Sequence, residues 1–345
     1  MWSVIGHDDN VRLLGHALSL GRLAHAYLLV GPAHVGKMTL AMDLAAAVNC
    51  ESGDPPCGEC PQCRGVMAGR HADILVLAVE ETAGKRSIGI DAVRDATRQA
   101  HLKPYQGHRR VFIVDGAEAL SDEASNAMLK VLEEPPPQLL MLLLAPEAEP
   151  LIPTLRSRCQ QLSLRPLSED RVAGALAERW GAPTQDARRL ARLSRGRIGW
   201  AVTAWRDPTV LETRARRLER IVAVVEGGVR ERFAYAAELA GLVPQERTAV
   251  REVLDLWAGW WHDLLVVREG APEAVLDGGP SEESGRRDWG FDRGELAQAV
   301  REVLLAQDML ELNANPRLVL EALMLALPTP VARDRPHARP STGSE

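Results

Sequence analysis

The stretch Ala26-Tyr-Leu-Leu-Val30, followed without a break by Gly31-Pro-Ala-His-Val-Gly36-Lys37-Met38-Thr39, decides the fold. Five strand-forming residues lead into a glycine-flanked turn, and a helical stretch, Lys37–Val48, comes next. The turn reads G-x-x-x-x-G-K, and strand, turn and helix in that order are the context a phosphate-binding loop requires. Its glycines let backbone N–H groups turn inward on phosphate oxygens, while the helix N-terminus and Lys37 add positive charge. The competing reading is a glycine-rich turn with a chance lysine, and the flanking strand and helix weigh against it. The position after the lysine, where Ser or Thr would hold Mg²⁺, is Met38, and Thr39 points about 100° further round the helix. ATP with Mg²⁺ is thus left open as the ligand of a degenerate set: Gly31, Gly36, Lys37, Met38, Thr39 and Asp115.

Outward from this loop, residues 1–165 alternate apolar runs with helical patterns, which predicts a parallel α/β sheet. The expected strands are Ala26–Val30, Asp73–Ala78, Val111–Val114, Leu139–Ala145 and Gln160–Leu164, with helices at Asp8–Leu20, Lys37–Val48, Ile90–Ala100 and Asp122–Glu133. Ser121 is a plausible cap for the last helix, whose first turn carries Asp122 and Glu123, and Pro135–Pro137 stops it. Beyond Pro166 the pattern turns helical. Short helices are expected around Glu169–Trp180 and Asp186–Leu193, closed by a glycine-rich turn at Gly196–Gly199. Longer ones are expected at Leu211–Glu226, Arg232–Ala240, Gln245–Val267, Arg293–Glu311 and Pro316–Leu327. Gly270–Asp288 reads as a loop, and the proline-rich residues 328–345 read as a disordered tail.

Among 345 residues, 46% are hydrophobic and 26% charged, which excludes a mainly disordered chain. No run approaches the roughly 18 apolar residues of a membrane span. The polar N-terminus shows no secretory signal, so the expected compartment is the cytoplasm. A net charge of −6 supplies no global field toward nucleic acid, so such contact needs a local patch or a partner subunit.

Two further sites are readable. Arg110-Val-Phe-Ile-Val-Asp115 is an apolar strand ending in a carboxylate, the usual Mg²⁺-orienting partner of a phosphate loop. A turn or helix cap at the strand end is the plainer reading of Asp115. Cys50, Cys57, Cys60 and Cys63 form C-x6-C-x2-C-x2-C, with Gly58 and Pro61 in the turns, a spacing suited to tetrahedral thiolate ligation of Zn²⁺. With all four positions filled by protein, the zinc would be structural. An iron–sulfur cluster, thiol redox chemistry and, less readily in a reducing cytosol, disulfides are the alternatives. Cys159 stands apart as a buried thiol.

Together these segments resemble the bacterial DNA polymerase III clamp-loader subunits of the AAA+ superfamily, and among them the delta-prime kind. The carriers are His25-Ala-Tyr-Leu28, the phosphate loop, the cysteine module behind its helix, Asn126-Ala-Met-Leu-Lys-Val-Leu-Glu-Glu-Pro-Pro136, Ser157-Arg158-Cys159, and Asn313-Ala-Asn-Pro-Arg-Leu-Val-Leu-Glu-Ala-Leu323. The resemblance implies an AAA+ core over 1–165 with a zinc module at 50–63, a helical lid at 166–206 and a helical collar at 207–327. It implies a heteropentamer with motor (gamma/tau) and delta subunits that places the sliding clamp on primed DNA, away from any membrane. It also implies that Arg158 acts in trans, as the arginine finger of the neighbouring motor's ATP site; by its residues alone Arg158 is as well read as a surface ion pair.

The departures from that pattern are Met38, Gly116 where hydrolysing relatives carry a glutamate, Pro146 at a polar sensor position, and Gly199 at the lid's sensor arginine, with Arg197 two residues away. Missing hydrolytic groups beside a retained arginine finger imply a stator that helps its neighbour hydrolyse ATP. The alternative is a gamma/tau-type motor in which Thr39 and Glu118 replace the missing groups. A third reading is a zinc-bearing adaptor that binds DNA through Arg214, Arg216, Arg217 and Arg220, residues that also suit a solvated helix face.

Overall fold

Leu139–Ala145 is buried at every residue, as a central strand covered on both faces must be. It anchors a five-stranded parallel sheet in the computed structural model, which describes residues 2–82, 85–271, 275, 289–312 and 314–330. The strands are β1 (Ala26–Val30), β2 (Ile74–Ala78), β5 (Arg110–Asp115), β6 (Leu139–Ala145) and β7 (Gln160–Ser163), in the spatial order β2-β5-β6-β1-β7. A short antiparallel hairpin, β3 (Glu80–Thr82) and β4 (Lys85–Ser87), lies outside this sheet. Side chains alternate across the strands, so two cores form. Tyr27, Leu29, Ile113 and Leu142 pack with Leu40 and Leu44 of the helix Lys37–Val48. Leu28, Phe112, Val114 and Leu143 pack with Val93 and Met128 of the helices Ile90–Ala100 and Asp122–Glu133.

Because every pairing is parallel, the carboxyl ends of β1, β5 and β6 share one edge, where ligand loops of such sheets gather. The phosphate loop leaves β1 there, and Asp115 ends β5 two strands away.

The chain divides into two compact units, residues 1–208 and 209–345. The first includes three helices after the sheet, Glu169–Trp180, Thr184–Ser194 and Ile198–Arg206. The third begins inside the expected glycine turn. Gly196, at φ +77°, makes that turn against Leu167, while Gly199 is already helical. A further unanticipated helix, Pro61–Met67, lies in the cysteine module, with Cys60 as its cap and proline in its first turn.

In the second unit, helices Thr209–Glu226, Val229–Arg268, Arg293–Glu311 and Pro316–Ala326 enclose Trp257, Trp260, Trp261, Trp289 and Phe291. The two helices expected within 232–267 are joined into one run that breaks its helical geometry at Glu246 (φ −129°, ψ 48°). Pro244, which has no N–H for the helical ladder, lies two residues earlier. Arg232 is buried with no carboxylate paired to it among the described residues. Its guanidinium donates to the carbonyls of Val225, Met324, Leu327 and Pro328, closing two helix C-termini. Of the expected loop Gly270–Asp288, residues 272–274 and 276–288 lie outside the described residues, as do residues 331–345 of the expected tail 328–345 and Asn313. Among the described residues no helix is long and apolar enough to cross a membrane.

Candidate functional site

The phosphate loop is set by two glycines for different reasons. A Cβ on Gly31 would stand 2.1 Å from the Leu164 carbonyl oxygen, so the strand exit admits no side chain. Gly36, at φ +109°, turns the chain into the helix as its N-cap. His34 also adopts a left-handed conformation (φ 66°). Lys37 Nζ lies back across the loop, donating to the Gly31 carbonyl at 2.5 Å and to that of Pro32 at 2.9 Å. Burial pushes the Lys37 ammonium below the usual lysine range, while the carboxylates of Glu118 and Asp115 oppose that shift. The structure therefore brings Lys37, Asp115 and Glu118 into one electrostatic neighbourhood. Met38 packs against the apolar core and Thr39 is exposed. Thr39 lies one residue further round the helix than the position where a metal-holding hydroxyl would be expected.

Gly116 follows Asp115 at φ +86°, and a Cβ there would meet Val79 Cγ2 at 2.6 Å. Gly199 donates its N–H to the His34 carbonyl at 2.8 Å, and a Cβ on it would lie 3.0 Å from the same oxygen. The helix Ile198–Arg206 therefore meets the phosphate loop backbone to backbone. On the loop's other side, His7 Nε2 lies 3.0 Å from the Val35 carbonyl oxygen.

Arg158 is held apart from this cluster. It donates to Glu133 Oε1 at 2.8 Å and to the Thr154 carbonyl at 2.9 Å, leaving its side chain about one third exposed. Glu133 ends the helix Asp122–Glu133, where the helix dipole disfavours an anion, so the arginine offsets that cost.

The cysteines converge. All four Sγ atoms lie within 4.8 Å of one another, and Cys57 Sγ is 3.9 Å from Cys63 Sγ. Four thiolates around one Zn²⁺ at about 2.3 Å stand about 3.8 Å apart, so the cluster is already close to the required tetrahedron. All are free thiols. Backbone N–H groups of Ser52 and Cys57 donate to Cys50 Sγ, that of Cys60 to Cys57 Sγ, and that of Cys63 to Cys60 Sγ. The Cys60 and Glu59 N–H groups pull the Cys57 thiol down to about 6, while burial pushes Cys63 up to about 12. A divalent cation bound there would hold both as thiolates. The donor set fits a tetrahedral metal ion with no open position. Cys159 lies outside the cluster, its thiol pushed up to about 12 by burial.

These features define an α/β protein with a G-x-x-x-x-G-K loop at the end of its β1 strand and a four-cysteine cluster that could hold a metal ion. The family described as DNA polymerase III, delta subunit, matches residues 6–168. Subunit delta' of Pseudomonas aeruginosa DNA polymerase III is 41% identical over 140 residues, which is 40% of this chain and 42% of that protein. Subunit tau of Escherichia coli is 36% identical over 171 residues, 49% of this chain and 26% of that one. Gamma/tau of Mycobacterium bovis is 34% identical over 189 residues, covering 53% and 32%. The chain thus spans less than half the length of these curated relatives. Among solved structures, a gamma subunit-related protein of Thermotoga maritima gives a TM-score of 0.44 at 18% identity, covering 90% of this chain and 97% of that one. Residues 6–168 are thus similar to subunits of DNA polymerase III, delta, delta' and gamma/tau among them.

Proposed function

We propose that this chain is a delta-prime-like stator of a DNA polymerase III clamp loader, which helps place a sliding clamp on primed DNA. In this reading the sheet unit is an AAA+ core with its lid over 166–206, and residues 207–327 form a collar. The partners are gamma/tau motors and a delta subunit in a heteropentamer, working in the cytoplasm. Arg158 reaches the neighbouring motor's ATP and stabilises phosphoryl-transfer charge there, while the four cysteines hold a structural zinc.

The observation that carries the stator reading is Gly116. A water-activating glutamate at this position is opposed both by the left-handed backbone and by Val79 at 2.6 Å. Met38 packed against the core and Gly199 against His34 act in the same direction. The second reading, a gamma/tau-type motor, draws on one observation: the Glu118 carboxylate acts on Lys37.

The test is ATP turnover by the purified chain, with and without primed DNA, beside Lys37→Ala. Turnover no higher than that of the variant supports the stator. Turnover that Lys37→Ala abolishes makes the chain a motor.

A further inference from the structure

The turn that leads into β5 is held by side chains rather than by a backbone ladder. The Asp73 carboxylate accepts from the N–H groups of Tyr105, Gln106 and Gly107 at 2.6, 2.9 and 2.8 Å. Asn49 Oδ1 accepts the next two, from His108 at 2.7 Å and Arg109 at 2.8 Å. Gln62 Nε2 adds a bond to the Gln106 carbonyl at 3.0 Å. Five successive backbone donors and one acceptor are thus satisfied by three side chains. Asn49 and Asp73 are both buried. A Cβ on Gly107 would lie 2.3 Å from Asn49 Oδ1, so the approach depends on glycine.

Of these three side chains Gln62 belongs to the cysteine module, and Asn49 borders it as the C-cap of the helix Lys37–Val48. Asn49 immediately precedes Cys50, and Gln62 lies between Cys60 and Cys63 in the helix Pro61–Met67. Gln62 Oε1 also meets His71 Nε2 at 2.7 Å, and His71 Nδ1 accepts from the Asp73 N–H at 3.1 Å. The third clamp is therefore tied to the same module. On this anchored backbone Tyr105 stands 83% exposed. An exposed aromatic on a backbone with its polar groups satisfied is a preorganised feature, since little conformational freedom remains to be lost.

We propose that an ion held by Cys50, Cys57, Cys60 and Cys63 governs the order of the 105–109 turn, the module acting through Asn49 and Gln62 to fix where Tyr105 is presented. This rests on the metal-site reading of the cysteines and is independent of the clamp-loader reading. Without the ion the four thiols no longer hold residues 50–63 together: Gln62 loses its footing, and Asn49, still bonded to the Ala45 carbonyl at the end of its helix, loses the ordered chain that follows it.

The experiment is amide hydrogen exchange on the full chain, zinc-loaded, chelator-treated and reloaded with Zn²⁺ alone, with zinc content measured in each state. Exchange at residues 105–109 should rise at least roughly tenfold on zinc removal, revert on reloading, and leave the β6 amides unchanged. If removal also exposes β6, zinc-loaded Asn49→Ala decides. It should retain its zinc and accelerate exchange at His108 and Arg109 selectively. Protection at 105–109 that is unaltered by zinc removal, or by Asn49→Ala with zinc bound, overturns the proposal while leaving the metal site standing. A chain that binds no zinc overturns both.

Discussion

The phosphate loop and the cysteine module sit at the two ends of one helix, Lys37–Val48, yet differ in how completely each retains its chemistry. The loop keeps the backbone turn, Gly31, Gly36 and Lys37, but positions where catalysis needs side chains are occupied by close packing instead. The module brings all four cysteines together, and their sulfurs lie close to the spacing a tetrahedral ion would require. A motif's shape and its reaction are thus separable. Glycines that make a turn persist for steric reasons, whereas a four-thiol cluster has little reason to converge except around an ion.

The largest effect that could break this contrast concerns the module. Cys63→Ser should reduce bound zinc from one ion per chain and lower the unfolding free energy by on the order of 3 kcal/mol, as losses of metal sites do. Metal analysis with denaturant titration checks both, and full stability without zinc would reduce the module to a surface decoration. Next comes Gly116→Glu. If packing has replaced catalysis in the loop, the glutamate should yield no turnover and cost about 1–3 kcal/mol through its left-handed backbone and the contact with Val79.

A smaller effect is carried by pH. Burial raises the Asp73 carboxyl, but three backbone N–H groups and Arg110 outweigh it and hold the group below the ordinary carboxylate value. Its contribution is therefore complete above the unfolded value of 3.8 and is lost as pH falls through the lower folded value. Burial lowers His71 from 6.5, against the opposing field of Asp73, so the unfolded chain takes up that proton first. Stability should fall in two stages on acidification, first below the ordinary histidine range and again below 3.8. Urea titrations across pH should find the second stage removed in Asp73→Asn and the first stage deepened, because the carboxylate that opposes the His71 shift is gone. The smallest expected effect is Glu133→Gln, worth less than about 1 kcal/mol because the Arg158–Glu133 pair is partly exposed.

Much of this could be read from the residues. The apolar runs at Ala26–Val30 and Leu139–Ala145 and the capped helix after Ser121 have strong local causes, and they form as the pattern predicts. The four cysteines were visible by spacing alone. The helix Pro61–Met67 is obscured because a cysteine cap reads as a ligand and the helix is only seven residues long, although proline at its first position was a usable start signal. The start of Ile198–Arg206 was hidden because a glycine inside a helix reads as a turn, and only the contact with His34 explains it. Asn49 and Asp73 left no periodic signal either. Their role is long-range acceptance of backbone N–H groups, although the placement of Asn49 directly before Cys50 was a usable hint.

The central claim, that this chain contributes an arginine and no turnover of its own, is tested most directly by reconstitution with gamma/tau and delta subunits, sliding clamp and primed DNA. Arg158→Ala in this chain should lower ATP turnover of the complex by up to roughly a thousandfold at the adjoining site, the scale of an arginine finger. Lys37→Ala should leave it unchanged. The opposite pattern, with Lys37→Ala abolishing turnover and Arg158→Ala silent, would contradict the account.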